Sequence, residues 1–303
     1  MPQTASRPVT LEEAASFLAG ASEAGSAVTI GEDLDPSGLD RILEHEAGDL
    51  TCTVEAGVRL SALRDAVAPA GQRLALDPPG DPTIGACIAA SYSGPLRHRY
   101  GTPRDLVLGV TLVLADGTIT SSGGKVVKNV AGYDLGKLMC GSRGTLALIG
   151  RVSLRLHPLP AASATLVVES DDCATVARKL LGSQLQPSAL DVLHPGRVAV
   201  LFEGGAGAVA AQLDDARSLV GGIAADEAIW AEARARQAAA AGRRRFAPRD
   251  LPAVLGSVPE AVVRPAAGVA YVPEPVASST TLDAERHLVA SIKHVLDPAG
   301  VLQ

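Results

Sequence analysis

The chain has 303 residues, 47% hydrophobic and 20% charged, with 31 glycines and a mean hydropathy of +0.21, which excludes disorder as its main state. Its 27 Lys and Arg against 33 Asp and Glu leave a net charge of −6, which excludes bulk electrostatic binding of nucleic acid or an anionic membrane. No apolar run is long enough to span a membrane, and the opening MPQTASRPVT has neither the basic nor the apolar region of a secretory signal; the sequence reads as a cytoplasmic chain of two domains.

In chain order, Thr10 followed by Glu13 spells a capping box ahead of Leu11, Ala14, Ala15 and Leu18 at helical spacing, and Gly25 stops that helix. Residues 27–30 read as a short buried strand. Leu50, Cys52 and Val54 alternate with polar neighbours and form an expected hairpin with residues 42–45 across Ala47-Gly48-Asp49. Residues 60–70 read as a helix closed by Gly71. Residues 107–114 and 118–121 make a second hairpin about Asp116-Gly117, and Val152, Leu154 and Leu156 mark a further strand. Pro158-Leu159-Pro160 then breaks the pattern and divides the chain into residues 1–160 and 161–303.

Beyond the break, strands are expected over 165–169 and 198–202, and helices over 173–181, 206–219, 226–241 and 282–296. Arg243-Arg244-Arg245 reads as the solvated end of the third of these helices, its charge favoured by the helix dipole. Cys52, Cys87, Cys140 and Cys173 form no CxxC pair and read as reduced, packed thiols. The six histidines are scattered, and no metal site is expected; His287 and His294 are spaced to share a helical face.

The segment 77–160 is dense in glycine, and those glycines sit beside hydroxylated and cationic residues: Thr83-Ile84-Gly85, Ser93-Gly94, Arg97, Tyr100-Gly101, Arg104-Asp105, Lys128-Asn129 and Gly141-Ser142-Arg143-Gly144-Thr145. Glycine lets the backbone approach a ligand, while hydroxyls and guanidinium groups bind phosphate. Neither GxxxxGK[ST] nor strand–GxGxxG–helix is present, so these loops point to an extended phosphate-bearing dinucleotide on a non-Rossmann fold.

The same run, with its TIG turn, its SG..R..YG..RD..LG block, its ADG hairpin, KNVAGYD and GS.GTL, closely resembles the vanillyl-alcohol-oxidase-type (PCMH-type) FAD-binding domain. Within that superfamily it resembles the FAD-binding E subunits of bacterial glycolate oxidases. Residues 37–63 resemble the family's strand–strand–helix unit and LDPAGVL its C-terminal helix end. The resemblance implies an α+β fold: a two-subdomain PCMH-type FAD-binding domain followed by a small α/β cap domain. It places Thr83, Ile84 and Gly85 at the FAD pyrophosphate and Ser93, Gly94, Arg97, Tyr100 and Gly101 along the flavin. Asp105 and Val107 would flank the site, and Gly144, Thr145 and Leu146 would meet the adenine half by backbone. Asn129, Gly132 and Tyr133 belong to the KNVAGYD motif.

The resemblance further implies a catalytic flavoprotein subunit and an iron–sulfur subunit as partners, through which the chain would lie peripheral to the inner membrane. It departs from the family in a short loop after Ile30, where Glu32, Asp33 and Asp35 place negative charge near the expected phosphates, and in the cap, which is short for the family. No HxGDGNxH motif or other catalytic constellation is present, so no catalytic residue is assigned. The expected function is flavin-mediated electron transfer within a 2-hydroxy-acid oxidase or dehydrogenase complex. The rival is a scaffold subunit of such a complex that has lost tight FAD binding.

Overall fold

The first helix, α1 (Leu11–Glu23), begins where the sequence places it. Thr10 Oγ1 accepts from the Glu13 N–H at 3.1 Å and the Glu13 carboxylate accepts from the Val9 N–H at 2.8 Å, a cap worth about 1 kcal/mol. The computed structural model describes residues 5–124, 134–276 and 283–303. After α1 come β1 (Ile42–Glu46), β2 (Thr51–Glu55), α2 (Leu60–Val67), β3 (Gln72–Arg73), α3 (Ile84–Ala89), α4 (Arg97–Tyr100) and α5 (Pro103–Leu106). The first half closes with β4 (Val107–Val113), β5 (Ile119–Gly123), α6 (Leu135–Met139), β6 (Leu148–Arg155) and β7 (His157–Pro158).

The second half runs β8 (Ala162–Glu169), α7 (Cys173–Leu181), β9 (Ala189–His194), β10 (Arg197–Gly204), α8 (Ala206–Val220), β11 (Ile223–Ala225) and α9 (Ala228–Ala239). It ends with β12 (Gly242–Arg245), α10 (Leu251–Gly256), β13 (Ala261–Arg264), β14 (Val269–Val272) and α11 (Asp283–Leu296).

Among the described residues two large antiparallel sheets with helices on their faces, and a small two-stranded one of β3 and β7, make the fold α+β. The first, in order β1-β2-β6-β4-β5, buries Val54, Val152 and Leu154 against Leu63 of α2, Ile84 and Ile88 of α3 and Met139 of α6. A second cluster packs Leu11, Ala14 and Leu18 of α1 on Val113 and Leu148. The other sheet, in order β11-β8-β10-β9-β13-β14-β12, is covered on one face by α7, α8 and α10 and on the other by α9, whose Trp230 donates to Thr165 Oγ1 at 2.9 Å. The chain then returns: Ile292 and Leu296 of α11 pack on the first core, and Val301 and Leu302 join the α1 cluster. Lys293 fastens this return by donating to the Thr145 carbonyl at 2.9 Å and to Asp297 at 3.1 Å.

Both hairpins, the helix closed by Gly71 and the helices over 173–181 and 206–219 form as expected. Two expectations are corrected. Residues 27–30 form single bridges, Val28 with Leu302 and Ile30 with Leu34, because the chain turns back at once after Ile30 and leaves no ladder to join. The tri-Arg run is not a helix end. It is edge strand β12, with Arg243 opposite Tyr271. A Cβ on Gly242 would come within 2.1 Å of the Glu274 carbonyl, so close backbone contact starts the strand there, and exposed cations on an edge oppose further pairing. All four cysteines are free thiols; burial pushes Cys52 and Cys87 up to about 12 and Cys140 up to about 11, so they are inert neutral groups at physiological pH.

Candidate functional site

Thr83 opens α3, its Oγ1 accepting from the Ala86 N–H at 3.2 Å. Together with Gly31, Ala56, Ala86, Arg143 and Gly144 it lines a cleft of about 490 Å³, within the range of ligand pockets. Small side chains leave the room: alanines occupy positions 56, 86, 89, 90 and 147 of the wall. Arg143, the charged residue of the lining, holds φ at +53° and Gly144 follows at +82°. A left-handed backbone costs a non-glycine residue about 1–2 kcal/mol, and such strain concentrates where a side chain is aimed for function.

Two donors here suit a phosphate, the Thr83 hydroxyl that caps α3 and the Arg143 guanidinium. Ser142, in the same loop, is 9% exposed and its Oγ has no partner among the described residues. Gly85 also lines the cleft, but the space its Cβ would take is filled by Ala56 Cβ at 2.7 Å, so this glycine serves the packing of α3 beside β2. The acids after Ile30 are partly consumed locally. Asp33 accepts from the Thr29 N–H at 2.8 Å, and Asp35 accepts from the Ser37 N–H at 2.9 Å and the Ser37 hydroxyl at 2.8 Å.

A second group of expected site residues lies where the first body meets the second sheet. The Ser93 carbonyl accepts from Gln237 Nε2 at 2.9 Å and from Arg264 Nη1 at 3.4 Å, both from the second half of the chain. Arg264 also donates to Gln237 Oε1 at 2.7 Å and to Asp191 Oδ2 at 3.3 Å, and lies 5.0 Å above the Tyr271 ring. Gly94 touches the Asp77 backbone, and the Asp77 carboxylate accepts from the Leu96 N–H at 3.1 Å. Arg97 is half-buried, hydrogen-bonded to Tyr271, and pulled down by burial and by the nearby Arg264 and Arg243. Tyr100 accepts from Arg73 at 3.0 Å, and Arg73 grips Glu203 of β10 with both ends of its fork at 2.7 Å.

The expected residues thus fall in two places, Thr83, Gly85 and Gly144 at the cleft and Ser93, Gly94, Arg97 and Tyr100 at the junction. Ile84, Val107 and Leu146 point into the core. Thr145 closes its own turn through a hydroxyl bond to the Ser142 carbonyl at 2.8 Å. Asp105 and Gly101 shape the start of α5, where Asp105 accepts from the Thr102 N–H at 2.8 Å. Asn129, Gly132 and Tyr133 lie outside the described residues. Asp77, Asp191, Gln237 and Arg264 were not foreseen, although a charge inside an apolar run, as in LDVLH and AVVRP, is a signal the sequence carries. Among the described residues no cluster of metal-binding side chains occurs.

Burial pushes the Asp77 carboxyl up to about 7, against the pull of Arg264, the Leu96 N–H and Arg234, and burial raises Asp191 as well. The folded chain therefore holds the Asp77 proton more tightly than the unfolded chain, whose value is 3.8. Its contribution to stability is full in acid and is lost as pH rises from there through about 7, at a slope of up to about 1.4 kcal/mol per pH unit. Asp77→Asn keeps the acceptor for Leu96 and removes the titration. Urea midpoints of wild type and variant should agree in acid, where Asp77 is neutral like asparagine, and separate between pH 4 and pH 7 with that slope as the wild type loses stability, the gap staying constant above neutrality; curves parallel across the whole range would refute the assignment.

Residues 10–123 match the family model described as FAD binding domain. Over 212 residues the chain is 34% identical to the glycolate oxidase subunit GlcE of Escherichia coli, covering 68% of this chain and 59% of that one. It is also 34% identical over 158 residues to the mitochondrial D-lactate dehydrogenase [cytochrome] 1 of Saccharomyces cerevisiae, and over 168 residues to the glycolate oxidase subunit GlcD of Bacillus subtilis. These matches cover 51% and 54% of this chain but only 27% and 36% of those proteins, so the matched stretch spans less than two thirds of each of these relatives. In fold, the chain superposes on alkyldihydroxyacetonephosphate synthase with a TM-score of 0.73 at 15% identity, over 97% of this chain and 74% of that one. Among the described residues no helix is long and apolar enough to cross a membrane.

Proposed function

Residues 10–123 belong to the FAD binding domain family within a PCMH-type FAD-binding fold, and on that premise we propose that the chain is the FAD-binding subunit of a glycolate-oxidase-like complex acting on a 2-hydroxy acid. Its partners in this reading are a catalytic flavoprotein subunit and an iron–sulfur subunit, between which its flavin relays electrons. Residues 1–160 hold the cofactor and residues 161–303 form the cap, with α11 returning to the first body. The flavin supplies the redox chemistry when bound, and the chain binds it, orients it and excludes water. The cleft walled by Thr83, Arg143 and Gly144 supports the reading most directly, with the Ser142 hydroxyl beside it buried and without a partner among the described residues.

In this reading the pyrophosphate lies at the α3 end of the cleft and Arg143 offsets its charge. Arg143→Gly separates binding from stability. It relieves a left-handed residue, so the urea midpoint of the FAD-free protein should hold or rise by up to about 1 kcal/mol. Loss of the charge-assisted bond should weaken FAD binding about tenfold. A purified wild-type chain should show flavin absorbance or acquire it on incubation with FAD, and a chain that stays colourless would sink the proposal. The short acidic turn Gly31–Pro36 on the cleft wall favours a second reading, a scaffold subunit of the same complex that binds FAD weakly. A dissociation constant well above cellular FAD, with stable association to the partner subunits, would select it.

A further inference from the structure

The last helix carries more apolar surface than its seat on the first body uses. Ile292 and Leu296 pack on the first core, and Lys293 ties the helix to the Thr145 carbonyl. Leu288, Val289 and Val295 nevertheless stand 61%, 59% and 76% exposed. Among the described residues five large apolar side chains are more than half exposed, and three of them are these. Leu288 and Val295 are two helical turns apart with Ser291 between them, so they form one ridge along α11. Single scattered exposures need no partner, whereas a ridge of them on one helix marks a contact surface.

A groove runs beside that ridge. It holds about 620 Å³ between α6 and α11, with Leu135, Leu138, Ile292 and Leu296 in its walls. Val295 lines its open side, and Arg104 and Lys137 bring cations to it, with Asp134 3.0 Å from Lys137. Ridge and groove side by side make the patch self-complementary, because each can receive the other from a second copy. That is the condition for an isologous contact about a twofold axis. The charge order of α11 fits the same arrangement. The helix opens Asp283-Ala284-Glu285 and ends Lys293-His294-Val295-Leu296. Two copies laid antiparallel set each acidic opening against the other's cationic end and oppose the two helix dipoles.

We propose that the chain forms a homodimer through this face, with α11 packed antiparallel on α11 of a second copy. The twofold axis passes beside Ser291, the small residue midway along the ridge. Each Val295 then meets Leu288 of the other copy at the mouth of a groove. The contact is independent of the proposed cofactor site, since the groove shares no lining residue with the cleft at Thr83.

Sedimentation velocity of the full-length chain over a concentration series tests it. The wild type should pass from monomer to dimer as concentration rises. Val295→Glu and Leu288→Glu should each weaken association about tenfold or more, the loss expected at the centre of an interface. Both sites are mostly exposed, so the urea midpoints of these variants should stay with wild type. Ile223→Glu alters a comparably exposed residue on β11 and should leave the dimer intact. Air oxidation should link Ser291→Cys into a disulfide dimer. It should not link Val295→Cys, because antiparallel pairing holds the two copies of that position roughly 10 Å apart along the axis. A dimer that ignores both Glu variants, that Ser291→Cys fails to link or that Val295→Cys links overturns the proposal. A wild type monomeric at every concentration overturns it as well, whether another subunit, a lipid surface or this chain itself then covers the groove. The proposed function survives any of these outcomes, because flavin absorbance reports it separately.

Discussion

Gly94→Ala is expected to destabilise the chain by about 3 kcal/mol or more and to abolish FAD retention. An added Cβ would lie 1.8 Å from the Asp77 carbonyl oxygen and 2.5 Å from its carboxylate, and the first of these is backbone that cannot swing aside. Relief requires the turn and the segment carrying Asp77 to separate. That breaks the Leu96 N–H bond to Asp77 and draws Ser93 away from Gln237 and Arg264. The control is Gly20→Ala in α1, where nothing lies within 4 Å of the new methyl. That change should raise stability by up to about 1 kcal/mol, since alanine is the better helix former. Urea midpoints of the two FAD-free variants give the comparison. A Gly94→Ala chain as stable as wild type would mean that the turn does not sit against Asp77.

That contrast shows what kind of information the chain displays in one dimension. Local rules were legible: the Thr10 cap, the Asp116-Gly117 hairpin turn and the helix over 173–181 each depend on neighbours a few residues apart, and each forms. Glycine beside hydroxyl and cation is a local signature as well, and the expectation that these loops meet a cofactor rests on it. What glycine does in three dimensions was not. Gly85 and Gly94 carry the same composition signal, yet Gly85 admits the strand at Ala56 and Gly94 admits the Asp77 backbone.

The strands β9, β13 and β14 were missed for a related reason. Each is a short apolar run of four to six residues, and such runs carry no period that separates a buried strand from a buried helix segment. Arg243 to Arg245 misled because charge alone suits a helix end and an edge strand equally, and only the pairing of Arg243 with Tyr271 decides between them. Asp191 and Arg264 lie 73 residues apart, so their ion pair belongs to the sheet order and to no local pattern.

Arg264→Met is the other change expected to be severe, and its size should depend on pH. Removing one member of a buried pair leaves the other uncompensated, at a cost of about 3–5 kcal/mol. Here the group left behind is Asp191, fully buried and already without a partner on Oδ1 among the described residues. A carboxylate in that position escapes by taking up a proton, so the penalty should be smaller at pH 5 and approach its full value at pH 8. Burial already raises Asp191 while Arg264 opposes it, and losing Arg264 raises it further. Folded-state proton uptake then makes the variant lose stability as pH climbs, more steeply than wild type. Pairing the change with Asp191→Asn removes the stranded charge and should recover at least half of the loss at pH 8. The remainder is the share owed to Gln237 and the Ser93 carbonyl, which lose a donor in either background. Urea midpoints of both variants at the two pH values decide it. A loss under about 1 kcal/mol, or one equal at pH 5 and pH 8, would show that Arg264 does not neutralise Asp191 in the folded chain.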